Sequence, residues 1–153
     1  MVAELRKIDQ SLYDTDYNLW VLETVGQLRR RDLDALDWEN LIEEVMDLSR
    51  REKRRLDSLL TRLFEHLLKL NYWESERLYN QNHWKKEIRN FRKQIRKDLR
   101  ASPSLGNYIL DIWEECYQDA RELFADESDL PLGTLSVTPI ANLDQILDED
   151  WLP

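Results

Sequence analysis

WENLIEEVMDLSRREKRRLDSLLTRLFEHLLKL, from Trp38 to Leu70, runs for 33 positions without a Gly or Pro. Apolar side chains fall at Trp38, Leu41, Ile42, Val45 and Leu48, and again at Leu56, Leu59, Leu60, Leu63, Leu67 and Leu70. That three-and-four spacing marks one face of an α-helix. A single helix of this length reaches roughly 50 Å at about 1.5 Å per residue, so it sets the frame for the rest of the chain. Its centre, SRREKRR (Ser49 to Arg55), holds no apolar residue. Continuing the stripe through this centre puts Glu52 on the core side with Ser49 close by. Two arrangements satisfy the pattern: a break or bend that makes two helices, or one long helix with a solvated, projecting centre. The second is simpler, because a buried Glu52 without an Arg partner is costly.

Outward from this helix, the pattern predicts three further main helices. The first starts between Asp14 and Asp16, with Thr15 as a candidate cap. Its stripe is Tyr17, Trp20, Val21, Thr24, Val25 and Leu28, and Arg29, Arg30 and Arg31 meet its carbonyl end. Asp32 to Leu36 connects it to the long helix, for which Asp37 is the expected cap with Asn40 three residues on. Asn71 to Asn82 (NYWESERLYNQN) has no clear period and is expected to be an ordered loop with room for a helical turn. The helix after it, His83 to Arg100, carries Trp84, Ile88, Phe91, Ile95 and Leu99 as a stripe, with every basic residue expected off it. Ser102-Pro103 then reads as an N-cap followed by Pro at the first helical position. The last main helix turns Tyr108, Ile109, Ile112, Trp113, Cys116, Ala120, Leu123 and Phe124 inward. Pro131, Gly133 and Pro139 mark an extended segment, with one short helix expected over Asn142 to Leu147. Trp151 is expected to dock the tail. The fold class is therefore all-α: an up-and-down bundle of about four main helices with a very long second helix. It forms a single domain over 1–153, with core bundle 12–128 and the C-terminal extension 129–153 packed on it.

Composition narrows the function classes. Charged residues make up 35% and hydrophobic ones 42% of 153 residues, with six Trp and six Tyr, which excludes a disordered chain. Cys116 is the only cysteine, so neither an intramolecular disulfide nor a Cys-based zinc site is available, and it is expected to be an inert core thiol. MVAELRKIDQ lacks the apolar core of a signal peptide, and no apolar run approaches the roughly 20 residues of a membrane span. A cytoplasmic protein is expected. The net charge of −9 is polarised. Lys85 to Arg100 carries a net +6, whereas 101–153 carries twelve acidic residues against Arg121 alone.

Three stretches look like one family. They are Leu12-Tyr13-Asp14-Thr15-Asp16-Tyr17 with Trp20, Leu36-Asp37-Trp38-Glu39-Asn40-Leu41-Ile42-Glu43-Glu44-Val45, and Leu59 to Leu70. Together with Ser102-Pro103-Ser104-Leu105 and the ending Leu147-Asp148-Glu149-Asp150-Trp151-Leu152-Pro153, they resemble the bacterial domain of unknown function 29 family, frequent in cyanobacteria. The resemblance runs from about Leu12 to the end. It implies a small all-helical cytoplasmic protein, and it carries over no reaction and no catalytic residues.

Four constellations bear on chemistry. Arg89, Arg92, Lys93, Arg96, Lys97 and Arg100 form a basic row suited to phosphates or to an acidic protein partner. The net charge opposes nucleic acid over the rest of the surface, and the acidic tail is a candidate to neutralise the row internally. Arg77 and His83, in RLYNQNH, resemble the Arg and His pair of the helical HEPN ribonucleases, which cleave RNA without metal. A His near neutral pKa and an Arg suit that reaction, which makes the pair the enzymatic alternative. His66 has Leu63 and His83 has Asn80 three residues before it, so the Glu-x-x-His pattern of a helical di-iron site is absent. His66 is expected at the bundle edge with one ring nitrogen bonded. Glu39, Glu43, Glu44 and Asp47 suit the start of a long helix through its dipole. No metal and no cofactor is implied. The leading expectation is a non-catalytic module that binds an unidentified protein partner or itself, through its charged surface or the long helix.

Overall fold

The computed structural model describes residues 11–153; the MVAELRKIDQ segment lies outside them. Contacts divide the chain into two compact units, Met1–Ser49 and Arg50–Pro153. The fold is all-α. Among the described residues, the α-helices are α1 (Leu12–Thr15), α2 (Tyr17–Arg29), α3 (Trp38–Tyr72), α4 (Glu74–Ala101), α5 (Leu105–Asp111), α6 (Trp113–Ser128) and α7 (Leu143–Leu147). Short 3-10 turns occupy Leu33–Ala35 and Leu132–Thr134.

Helix α3 is unbroken through Ser49 to Arg55, and all seven of those residues are exposed. Glu52 is solvated with them, so the stripe is interrupted and no carboxylate is buried there. The basic centre does not simply project. Arg55 pairs with Asp98 at 3.3 Å, and the Lys53 ammonium lies 5.3 Å from the centre of the Tyr108 ring. At the start of α3, Asp37 accepts from the Asn40 backbone N–H at 3.4 Å and from its side-chain amide at 2.7 Å, as the cap spacing predicts.

In the C-terminal unit, Leu56, Leu59, Leu60, Leu63, Leu67 and Leu70 are core, as the stripe predicts, but Phe64 and Leu68 are fully buried as well. A helix buried on all sides needs cover beyond two neighbours. Ile88 and Ile95 of α4, Ile109 of α5, and Tyr117 and Phe124 of α6 supply part of it. The extension supplies the rest through Leu135, Ala141 and Ile146. Leu135 and Ile146 each contribute about 1.5–3 kcal/mol when fully buried, so the extension is part of the core.

Three elements differ from the sequence expectation. Asn71 to Asn82 is helix rather than loop, with only Trp73 between α3 and α4. The connection is tight because Trp73 N–H donates to the Lys69 carbonyl at 3.1 Å and the Trp73 carbonyl accepts from Arg77 N–H at 3.0 Å. Trp73 also stacks on Trp84, with centroids 5.8 Å apart, and Asn80 donates to Glu76 at 3.0 Å. Polar side-chain bonds thus hold a helix whose apolar pattern is weak. Ser102 does not cap: its carbonyl accepts from Leu105 N–H at 3.0 Å while its hydroxyl lies 3.5 Å from Glu52. The last main helix is divided at Ile112 into α5 and α6, and Leu123 is exposed rather than inward. A capping box at Asn142 and Gln145 opens the short helix α7.

Candidate interaction surfaces

The N-terminal unit is held by polar contacts more than by a core. Asp16 caps α2 by accepting from Leu19 N–H at 3.0 Å. The hydroxyls of Tyr13 and Tyr17 each donate to a carboxylate oxygen of Glu44 at 2.6 Å. The bond to Glu44, with burial and the carboxylate charge behind it, pushes the Tyr13 phenol up to about 12. Tyr13 packs edge-on against Trp20 at 4.9 Å, and Tyr17 stacks on Trp20 at 5.9 Å. These contacts turn the side of α3 that carries Glu44 toward α1 and α2.

The apolar side of the same helix is left facing outward. Trp38, Ile42, Val45, Met46 and Leu48 are 48%, 56%, 57%, 50% and 60% exposed. This corrects the reading of Trp38, Ile42, Val45 and Leu48 as core: periodicity marks an apolar face and does not say what covers it. Tyr17 and Val25, expected in the α2 stripe, are also exposed, while Trp20 and Thr24 are buried. Of the described residues up to Ser49, only Trp20 and Leu36 are buried hydrophobics, against ten large hydrophobics that are exposed. The C-terminal unit has the reverse ratio, twenty-one buried to seven exposed. Trp38 is exposed yet fixed, because its indole N–H donates to the Leu33 carbonyl at 3.1 Å.

The basic row of α4 is partly consumed within the C-terminal unit. Arg92 is buried. It donates from Nε to the Ile146 carbonyl at 2.8 Å and from Nη2 to the Gln145 carbonyl at 3.3 Å. Burial pulls its pKa down, opposed by the charge of Asp148. It is the exception to the expectation that all the basic residues lie off the core, and the signal was present: Arg92 follows Ile88 by four and precedes Ile95 by three. Arg96 binds Glu149 and the Leu147 carbonyl. Arg89, Lys93, Lys97 and Arg100 stay exposed. A cavity of about 380 Å³ lies among Arg89, Lys93, Arg96, Arg100 and Glu149. The acidic extension therefore supplies one ion pair, the added charge of Asp148 and three carbonyl acceptors to this face.

Further along the extension, the Tyr117 hydroxyl donates to the Ser136 carbonyl at 2.7 Å. Arg121 donates to the Leu132 carbonyl at 3.2 Å and Gln118 to the Val137 carbonyl at 2.9 Å.

Arg77 and His83 both lie on α4. Six residues of helix set them about 120° apart around the axis. Arg77 donates to the Asn71 carbonyl at 3.0 Å, closing the end of α3, and His83 is exposed.

His66 sits against Phe91, with ring centroids 5.2 Å apart. Its Nδ1 lies 2.8 Å from the Arg62 carbonyl. A carbonyl only accepts, so Nδ1 carries the proton. Burial lowers its pKa. Beside it runs a charge chain invisible to periodicity: Arg62 pairs with Glu65 at 3.0 Å, Glu65 with Lys69 at 3.6 Å, and Lys69 with Glu127 at 2.9 Å. Both Glu65 and Lys69 are buried, which is tolerated because each has a partner. Cys116 is buried, and desolvation pushes its thiol up to about 12. A second groove, about 420 Å³, lies among Asp57, Arg62, Asp119, Glu122 and Asp126. Among the described residues, no group of three or more His, Cys, Asp or Glu is placed to hold a metal ion. No helix among them is long and apolar enough to cross a membrane.

No curated protein and no solved structure matches the chain. Residues 12–152 match the family model described as Domain of unknown function DUF29, and the chain belongs to that family.

Proposed function

We propose that this protein is a non-catalytic interaction module that binds another protein chain through the apolar side of α3 in the N-terminal unit. One observation carries the reading: five large apolar side chains on three turns of one helix, each about half exposed, in a unit that buries only Trp20 and Leu36 among its described residues. A unit with so small a core is marginal by itself, and burying this apolar side against a partner adds to its stability.

The test is co-purification of a stoichiometric companion with tagged full-length protein. Capture by the unaltered chain and loss in Val45→Asp, with helicity unchanged, supports the reading. Capture of the same companions equally by Val45→Asp overturns it, and so does an unaltered chain that is monomeric and captures no companion.

A further inference from the structure

We infer that the partner of the α3 apolar side is a second copy of this chain, packed antiparallel across a two-fold axis between Glu43 and Glu44. The inference rests on the interaction reading above and deepens it by naming the partner.

Spacing fits a second copy. At about 100° per residue, Trp38, Ile42, Val45 and Ser49 fall along one line of α3. Their separations are four, three and four, the same read in either direction. Two antiparallel copies of this line therefore mate with themselves: Ile42 of one copy meets Val45 of the other, twice, and Trp38 meets Ser49, twice. The largest side chain is set over the smallest, which is the complement a close helix crossing needs.

Charge permits the approach. Leu41 and Leu48 flank the line on one side and Met46 on the other, giving an apolar arc of roughly 160°. Glu39 stands at its edge. Asn40, Glu43, Glu44 and Asp47 lie on the remaining arc, and Glu44 there receives the Tyr13 and Tyr17 hydroxyls. The carboxylates behind the seam are thus turned away from their counterparts in the second copy.

The area suffices. The five exposed side chains of α3 present roughly 400 Å² of apolar surface per copy. With about 60% of an interface apolar, that corresponds to roughly 1,300 Å² over both copies, within the range of specific complexes. Trp38 supplies an aromatic at each end of the seam, already fixed by its bond to the Leu33 carbonyl, and buried aromatics are the side chains that most often anchor such interfaces.

The experiment is sedimentation of the full-length protein at micromolar concentration, with Trp38→Ser, Ser49→Trp and the exchanged double variant W38S/S49W. Both positions are exposed, so all three variants should retain the helicity of the parent, checked by circular dichroism. The parent is expected to be a dimer. Each single variant should weaken dimerisation by at least about 30-fold. The double variant should recover it, because the two-fold pairing restores the same Trp–Ser contact. A monomeric parent overturns the second-copy inference, and so does a double variant no stronger than the singles. A monomeric parent that still captures a companion lost in Val45→Asp leaves the interaction reading standing; one that captures none removes both.

Discussion

Arg92 donates from Nε to the carbonyl oxygen of Ile146 at 2.8 Å, across 54 positions of sequence, from a side chain only 1% exposed. The bond joins the centre of α4 to α7 and makes a cation the fastening of the C-terminal extension. A guanidinium suits this role because its fork reaches the Gln145 carbonyl as well, at 3.3 Å.

Arg92→Met should therefore cost more than a surface substitution. Hydrogen bonds to a charged group contribute about 1.5–3 kcal/mol; the variant removes the Arg92 donor from the Ile146 carbonyl and leaves the Gln145 carbonyl with the Asp148 N–H alone. The expected loss is about 2 kcal/mol in urea unfolding, with faster proteolytic cleavage within 129–153. Arg92→Lys should recover only part of it, since a single ammonium does not reproduce the fork.

Stability should fall on mild acidification through His66. Burial lowers its pKa below the ordinary 6.5, against the opposing effects of the Arg62 carbonyl and the Glu65 carboxylate. The unfolded chain thus takes up this proton first. The contribution is complete above about pH 6.5 and is lost as pH drops through the lower folded value, no more steeply than about 1.4 kcal/mol per pH unit. Glu127 acts in a separate, more acidic window. Burial raises its pKa, but the hydrogen bond and charge of Lys69 prevail and lower it, so its contribution is lost below the ordinary carboxylate range. Urea unfolding from about pH 5 to about pH 8 should show the His66 slope, and His66→Gln should flatten it.

Cys116 should be silent in the folded protein. Its thiol is buried and pushed up to about 12, and the thiolate is the reactive form. A thiol reagent at mildly alkaline pH should label none of it in the native state and one equivalent in denaturant. Rapid native labelling would show that the core around α6 opens.

The candidate surface was half legible in the sequence. The Trp38 to Leu48 stripe stands out from periodicity, and so does the cap at Asp37. What periodicity lacks is the identity of the covering body, so Val45 and Leu63 look equivalent although one is solvated and the other fully buried. Arg92 illustrates the opposite loss. Its register with Ile88 and Ile95 was visible, but a charge in the stripe is accepted only where carbonyls wait for it, and those carbonyls arrive from α7. Asn71 to Asn82 failed for a third reason: side-chain bonds from Arg77 and Asn80 hold that helix, and they leave no hydrophobic period.

By itself the sequence determined the helical class, the two apolar stretches Trp38 to Leu48 and Leu56 to Leu70 on either side of a polar centre, and the family resemblance that residues 12–152 substantiate. These follow from local backbone preference and from side-chain spacing along one element. Only the tertiary structure decided which of those two stretches is core, which arginine is a fastening, and which charges lie inside. Burial is a property of what packs against a face, and that depends on residues far away in the chain.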